Sequence, residues 1–173
     1  MFQNFLFQDY LKAAAIILAP NIGSSLLVLF PGNTIKNIKS LYKDMKKPFF
    51  SPPAWVFGPV WGTLYLLMGF SSYRMYISHP WSVTCNPLTL YIVHLLVNYS
   101  FTPVYFGMRS MLGGTIIVGA CAALINMTVY SFYQVDKTCA YLLIPVVVWE
   151  SFATIVSAST LYMNWGNQSK KIE

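Results

Sequence analysis

The sequence predicts an all-α integral membrane protein, a bundle of five transmembrane helices that forms a single domain over residues 1–173. Of the 173 residues, 56% are hydrophobic and 9% are charged, and the mean hydropathy is +0.54. Soluble domains carry about 25% charged residues, which argues against a soluble fold. The apolar residues form five stretches, each near the roughly 20 residues that a helix needs to cross a bilayer. These spans lie at about 11–30, 54–77, 87–107, 111–133 and 138–164.

The first stretch is expected to be a membrane span and not a cleaved signal peptide. Asp9, rather than a basic residue, precedes the apolar run. Pro20 and Asn21 interrupt the stretch at membrane depth. Such a break is tolerated where neighbouring helices cover it, and Gly23 would let one of them approach closely.

The connection 31–53 is the longest loop, and it is polar and rich in lysine. We expect one short helical turn around residues 38–45, and we expect the loop to cover one end of the bundle as a lid. With five spans, the loop shares a side of the membrane with Arg109 and the carboxyl end. That side carries eight of the eleven basic residues, namely Lys36, Lys39, Lys43, Lys46, Lys47, Arg109, Lys170 and Lys171. By the positive-inside tendency it faces the cytosol.

The net charge of +6 follows from this uneven distribution and does not indicate a nucleic-acid partner. The other side carries only Lys12, Arg74 and Lys137. The lysines are expected to set the topology and to contact lipid headgroups. Recruitment of a protein partner by the loop is the alternative.

Prolines and indoles mark the start of the second stretch. Pro52 and Pro53 favour extended geometry before them and suit the first turn of a helix, which predicts a helix that begins near Pro53. Pro59 removes a hydrogen bond within this helix, so its face should meet protein rather than lipid. Trp61 and Tyr65 are four residues apart, and they are therefore expected to share a face and to stack.

A polar stripe runs along the third stretch. His94, Asn98, Thr102 and Tyr105 recur at steps of three and four, so they lie on one face of a helix. In a bilayer this face must turn inward. It serves either hydrogen bonds between helices or a polar spot in a ligand cavity. His94 by itself is more typical of a packed core histidine than of a ligand or a base.

Small residues and one glutamate stand out in the remaining helices. The four-residue spacing of Gly58 with Gly62, and of Gly119 with Ala123, predicts close helix packing. Glu150 lies inside the fifth stretch, and because burial of a carboxylate is costly it is a functional-site hypothesis. The alternative is that Glu150 is neutral or reaches an interface.

Several kinds of chemistry have no support in the sequence. Cys85, Cys121 and Cys139 show no metal-ligand spacing, so neither a disulfide framework nor a metal site is predicted. No glycine-rich phosphate loop and no paired carboxylates occur, so we expect neither an enzyme nor a bound cofactor. A helix bundle with an aromatic cavity remains, and such cavities suit flat hydrophobic molecules.

The second stretch closely resembles the second-helix signature of the translocator protein family, which is also called the peripheral-type benzodiazepine receptor or tryptophan-rich sensory protein family. The match runs from Lys47 to Tyr65 and includes Pro52-Pro53, Trp55 and the segment Gly58-Pro59-Val60-Trp61-Gly62-Thr63-Leu64-Tyr65. Further matches are Leu18-Ala19-Pro20, Asn98 with Pro103, Phe106-Gly107-Met108-Arg109, Tyr133-Gln134-Val135, and Trp149 with Phe152-Ala153-Thr154.

This resemblance implies a receptor or transporter-like protein with a cytosolic carboxyl end. The matching residues are of the animal type, which implies the mitochondrial outer membrane. The implied ligands are cholesterol or other sterols, protoporphyrin IX or haem-like tetrapyrroles, and isoquinoline or benzodiazepine compounds, and the implied role is sterol or tetrapyrrole transport or homeostasis. The ligand-binding residues carried over by position are Ala19, Trp55, Phe57, Trp61, Tyr65, Asn98, Phe101, Phe132, Trp149 and Ala153.

The chain departs from the family pattern at several positions. Phe50, Phe101 and Phe132 stand where many relatives have Trp. The sterol segment of the fifth helix falls on Val156 and Tyr162, but no basic residue follows Tyr162 until Lys170. Larger side chains, Val93 and Val97, replace small residues that some relatives use for dimer contact, so a homodimer is left open.

Two further functions remain as alternatives to a receptor. One is photo-oxidative breakdown of porphyrins, in which Trp61 and Trp149 would take part in redox chemistry. The other is a scaffold on the mitochondrial surface, whose lysine loop and Lys170-Lys171 tail would recruit cytosolic partners.

Overall fold

The computed structural model describes residues 2–27, 35–78 and 87–169, and every regular element within these ranges is helical. Lys170 and Lys171, the loop residues 31–34 and the predicted end of the first span at 28–30 lie outside the described residues, as does Cys85. The helices are α1 (Phe2–Leu26), α2 (Ile35–Asp44), α3 (Ala54–Ser78), α4 (Pro87–Thr102), α5 (Met111–Tyr133) and α6 (Lys137–Ser169).

Three of the described helices are long and apolar enough to cross a membrane: α3, α5 and α6 up to Trp165. The structure is therefore consistent with a membrane helical bundle. The count of five spans stays a prediction, because α1 does not meet the same criterion and α4 has only 16 residues. Large apolar side chains cover the outer surface, including Leu96, Ile116 and Val148, each more than 60% exposed. Such a surface suits lipid rather than water.

The prolines place the ends of several helices. After Pro52 and Pro53, α3 begins at Ala54, as the sequence predicts. At its other end α4 passes into a wider π-helical turn at Pro103–Gly107, where Pro103 cannot donate its own backbone hydrogen bond. The chain then turns at Ser110, whose Oγ accepts from the Gly113 amide at 3.1 Å and caps α5.

The loop helix α2 is longer than expected. It runs for ten residues, Ile35–Asp44, where the sequence suggested one short turn. The segment that follows lies at the carboxyl end of α6, because Asn164 accepts from the Lys46 amide at 3.2 Å and donates to the Lys46 carbonyl at 2.8 Å. At the opposite end of the bundle, Arg74 and Asp136 form an ion pair at 2.8 Å.

In the bundle, α5 packs between α4 and α6, while α3 packs on α6 and on α1. The closest approach lies at Gly69, where an added Cβ would come within 2.0 Å of the Ile17 carbonyl oxygen. Gly23 is also in close contact, with the Tyr99 ring. By contrast, open space lies beside Gly58, Gly62 and Gly119. The prediction of close packing at these three glycines was wrong, since a four-residue spacing does not show which face meets a neighbour.

The break in α1 is covered as expected. The Tyr99 hydroxyl, on α4, donates to the Pro20 carbonyl at 2.8 Å, and Pro20 is fully buried. The central core consists of buried side chains from α3, α4, α5 and α6, of which Met68, Ile125 and Leu143 have no exposed surface. Because lipid is as apolar as this core, close packing and interhelical hydrogen bonds must hold the bundle together.

Candidate functional site

A cavity of about 470 Å³ opens inside the bundle, next to the segment that follows α2. Its size lies in the range of small-molecule sites. Every described helix contributes to the wall. The lining residues used below are Ile38, Tyr42, Lys47, Phe57, Gly58, Trp61, Gly62, Tyr65, Asn98, Phe101, Thr102, Tyr105, Cys121, Ala153, Val156, Ser157 and Thr160.

Aromatic rings form two sides of the cavity. On α3, Trp61 and Tyr65 lie with ring centroids 5.2 Å apart at 31°, so the predicted stacking is present. On α4 and its π-helical turn, Phe101 and Tyr105 stack at 5.1 Å and 24°. Gly58 and Gly62, which contact no neighbouring helix, lie beside Trp61 along the cavity wall. The absence of side chains at these glycines leaves room for the cavity.

The segment around α2 closes the cavity at one end. Ile38 and Tyr42 are four residues apart and both line the cavity. The Tyr42 hydroxyl lies 2.9 Å from the Ser51 Oγ and also donates to the Pro52 carbonyl, which ties α2 to the start of α3. The Lys47 ammonium lies 4.0 Å from the centre of the Tyr42 ring and donates to the Tyr42 carbonyl. One lysine charge is thus held at the cavity wall.

A chain of buried hydrogen bonds leads from the cavity into the core. The Tyr65 hydroxyl donates to Asn98 Oδ1 at 2.6 Å, and Asn98 Nδ2 donates to Glu150 Oε1 at 3.0 Å. His94 Nε2 lies 2.9 Å from the same carboxylate oxygen and 3.1 Å from the other. His94 and Glu150 have no exposed surface. We call Tyr65, His94, Asn98 and Glu150 the polar chain.

The polar chain resolves the two interpretations of the stripe on the third span. His94 bonds to α6 and does not line the cavity, so it serves contact between helices. Asn98 does both, since it bonds to Glu150 and lines the cavity, and Thr102 and Tyr105 also line the cavity. Glu150, for which the sequence offered no partner, is paired inside the bundle. The two partners are 56 residues apart, so no local spacing could reveal the pair.

The predicted ligand-binding residues fall into two groups. Those that line the cavity are Phe57, Trp61, Tyr65, Asn98, Phe101 and Ala153, together with Val156 of the sterol segment. Ala19, Trp55, Phe132, Trp149 and Tyr162 are not part of the cavity wall.

Each residue of the second group has a defined place. Trp55 and Tyr162 point outward and are 74% and 84% exposed, and Ala19 is exposed on α1. Phe132 lies about three helical turns beyond Cys121 on α5, fully buried against Tyr91. Trp149 lies behind the wall, with its ring 5.8 Å from Phe57, which does line the cavity.

The structure adds cavity residues that sequence reasoning missed. Ser157 and Thr160 follow Ala153 on α6 at steps of four and three, so helical periodicity from Ala153 would have indicated them. Ser157 lies 2.9 Å from the Thr115 hydroxyl of α5. Cys121 also lines the cavity, and no feature of the sequence distinguished it from the other cysteines.

The whole bundle matches one protein family. The TspO/MBR family model matches residues 14–163. The chain is 34% identical to the Translocator protein of Homo sapiens over 156 residues, which cover 86% of this chain and 87% of that protein. It is 32% identical to the Translocator protein of Sus scrofa, over 94% of each chain. It is 31% identical to the Tryptophan-rich protein TspO of Chlorobaculum tepidum, over 86% of this chain and 96% of that protein.

These matches cover the helices that form the cavity and confirm the resemblance found in the sequence. The family includes animal and bacterial proteins. With its apolar helices and lipid-compatible surface, the chain is an integral membrane protein of the TspO/MBR family.

Proposed function

We propose that the protein is a membrane receptor that holds a flat, largely apolar ligand in the cavity. The single observation that carries this proposal is the cavity of about 470 Å³ between the rings of α3 and α4. Aromatic faces favour flat apolar molecules, because stacking of rings contributes binding energy beyond that from burial of apolar surface. Sterols such as cholesterol, tetrapyrroles such as protoporphyrin IX, and isoquinoline or benzodiazepine compounds share this chemistry.

Charge and hydrogen bonding at the two ends of the cavity favour an amphipathic ligand. Lys47, at the wall near α2, would attract carboxylates such as the propionates of a porphyrin. Tyr65 and Asn98, on the inner side, offer polar atoms to a hydroxyl or carbonyl group. A few placed polar groups in an apolar pocket are what usually fix the orientation of a ligand.

The proposed role is transport or homeostasis of sterols or tetrapyrroles at the mitochondrial outer membrane, with the carboxyl end in the cytosol. The names of the relatives support movement of a ligand, since the human and pig proteins are called Translocator protein. The sequence of the second helix is of the animal type, which favours the mitochondrial location. Assembly into a homodimer belongs to the same proposal, and Val93 lies on the outer face of α4, where a second copy could pack.

The proposal is tested by titrating purified protein in detergent with protoporphyrin IX and following the absorption of the bound porphyrin. Trp61→Phe removes a cavity indole, whereas Trp55→Phe removes an indole that lies outside the wall. We expect saturable binding that cholesterol displaces, weaker binding by Trp61→Phe, and wild-type affinity for Trp55→Phe. Equal affinity of all three proteins would contradict the cavity assignment.

The same samples address the photo-oxidative alternative. After illumination in air, the porphyrin is extracted and analysed by chromatography. Recovery of intact protoporphyrin IX supports the receptor. A product that forms with wild-type protein and not with Trp61→Phe or Trp149→Phe would replace the receptor proposal with an enzymatic one.

A further inference from the structure

We propose that His94, Cys121 and Glu150 form a binding site for one divalent transition-metal ion, with zinc as the best match. The residues come from α4, α5 and α6, and each offers one ligand atom, with all three atoms within 4.8 Å of one another. His94 and Glu150 have no exposed surface and Cys121 is 1% exposed. This site goes beyond the proposed receptor function and does not depend on it.

The positions of the donor atoms suit a metal ion with only small side-chain movements. His94 Nε2 and Glu150 Oε1 lie 2.9 Å apart in a hydrogen bond. An ion placed between them would replace that hydrogen bond and would bring in the sulfur of Cys121 as a third ligand. Asn98 already donates to Glu150 Oε1. This bond orients the carboxylate as outer-shell groups do in metal sites.

Hydrogen bonding alone leaves the cluster incomplete. His94 Nδ1 is buried and has no hydrogen-bond partner among the residues that the structure describes. A network that serves only to hold helices together would be expected to satisfy each buried polar atom, because a half-satisfied network costs stability. The hydrogen bonds between α4 and α6 therefore do not use the whole bonding capacity of the His94 ring.

Charge balance favours a divalent ion in this apolar setting. A thiolate and a carboxylate together carry two negative charges, which neutralise M²⁺ when the imidazole is neutral. A neutral site avoids the large cost of leaving a net charge in a low-dielectric interior. On binding, the S–H bond of Cys121 would break and its proton would leave to water. The hydrogen between His94 Nε2 and Glu150 would move to His94 Nδ1, so the imidazole stays neutral while bonds from the ion to sulfur, nitrogen and oxygen form.

The ligand set selects among metals. Calcium and magnesium require oxygen ligands, and copper(I) prefers several sulfurs, whereas one nitrogen, one sulfur and one oxygen ligand suit zinc and similar ions of intermediate softness. Zinc sites with three protein ligands keep a fourth position open for another molecule. Cys121 and Asn98 line the cavity, so the cavity supplies a route of entry and the open position would face it.

The test is a titration of chelator-treated, full-length protein in detergent with Co²⁺, followed by absorption spectroscopy. We expect one equivalent of Co²⁺ to produce the visible bands of tetrahedral cobalt and a near-ultraviolet band from thiolate-to-cobalt charge transfer, both removed by Zn²⁺. Cys121→Ala should abolish the thiolate band. Cys139→Ala, which removes another buried thiol, should leave it unchanged.

A spectrum without a thiolate band in wild-type protein would overturn the proposal, as would a band that persists in Cys121→Ala. Glu150→Gln provides a variant that retains hydrogen-bonding atoms and removes one metal ligand, and it should weaken Co²⁺ binding by about tenfold or more. Folding of each variant is checked by gel filtration and by circular dichroism. Loss of cobalt binding in a variant that keeps the wild-type elution volume and helical signal assigns the effect to the metal site.

Discussion

At the scale of single residues, the pairing of His94 with Glu150 determines whether the interior of the bundle is stable. Neither side chain reaches solvent, and the carboxylate accepts hydrogen bonds from α4 alone among the described side chains. Removal of one member of such a buried pair costs about 3–5 kcal/mol where it leaves a charge uncompensated, whereas removal of both is often nearly neutral. The energetic value of the pair is therefore best measured by a double-mutant cycle.

We expect Glu150→Leu and His94→Leu each to destabilise the protein by about 3–5 kcal/mol in a metal-free buffer. The double variant should be more stable than either single variant, because it leaves no unpaired buried partner within this pair. Thermal unfolding in detergent, followed by circular dichroism, measures the three differences. Additive losses in the double variant would show that the two residues are not coupled.

At the scale of helices, the contact between α1 and α3 depends on the absence of a side chain at Gly69. An added Cβ would come within 2.0 Å of the Ile17 carbonyl oxygen, which is backbone and cannot move without shifting α1. By contrast, the space beside Gly119 on α5 is open. These two glycines thus make a matched pair for a test of helix packing.

Gly69→Ala should lower the thermal midpoint by several degrees, since the clash separates α1 from α3. Gly119→Ala should be neutral or stabilising, because Ala gains roughly 0.5–1 kcal/mol over Gly inside a helix where nothing obstructs it. Melting curves of the two variants, collected side by side with the wild type, provide the measurement. A loss of equal size in both would contradict the packing described for α1.

The turn between α5 and α6 should respond to pH. Partial burial of Asp136 acts to raise its pKa, but the Thr138 amide and the Arg74 guanidinium both donate to the carboxylate and hold the pKa below its ordinary value. A carboxyl group with a lowered pKa in the folded state stabilises the fold above its unfolded pKa, and the contribution is lost as the pH falls through the folded pKa.

Asp136→Asn should therefore be less stable than wild type at neutral pH, by up to about 1 kcal/mol for the loss of the ion pair with Arg74, because Asn can still accept from the Thr138 amide. The difference should shrink as the pH falls below the range in which aspartate titrates. Melting temperatures of both proteins across a pH series measure this trend. A constant difference at all pH values would show that the charge of Asp136 is not involved.

At the scale of the whole molecule, features that depend on local sequence could be predicted. Pro52 and Pro53 predicted the start of α3. The four-residue step from Trp61 to Tyr65 predicted the stacked pair that lies on the cavity wall. Contact of a neighbouring helix with the break at Pro20 could also be predicted, because an interrupted helix in lipid needs neighbours that satisfy its backbone groups.

Features that depend on which helix faces which could not be predicted. The close approach at Gly69 and the open space at Gly58 look alike in the sequence, since both glycines lie among apolar residues of the same helix. The cluster of His94, Cys121 and Glu150 joins three separate helices and has no spacing of its own. The last apolar stretch predicted that Trp149 lies on a long helix, here α6, but its position behind Phe57 follows from packing alone.

We propose that the ligand lies in the cavity between the helices and not on the outer surface of the bundle. Ala153 lines this cavity, and Ala158, five residues later on α6, is exposed on the outside. Leucine at either position adds the same apolar volume to the same helix, but only the first reduces the cavity. The two variants therefore differ in where the added volume lies.

The decisive measurement is the Kd for protoporphyrin IX of wild type, Ala153→Leu and Ala158→Leu in the same detergent. We expect Ala153→Leu to bind at least about tenfold more weakly, a loss of roughly 1.4 kcal/mol, because overpacking the site must displace the ligand or its wall. Ala158→Leu should bind like the wild type. Equal affinity of Ala153→Leu and wild type, or an equal loss in both variants, would contradict the cavity as the binding site.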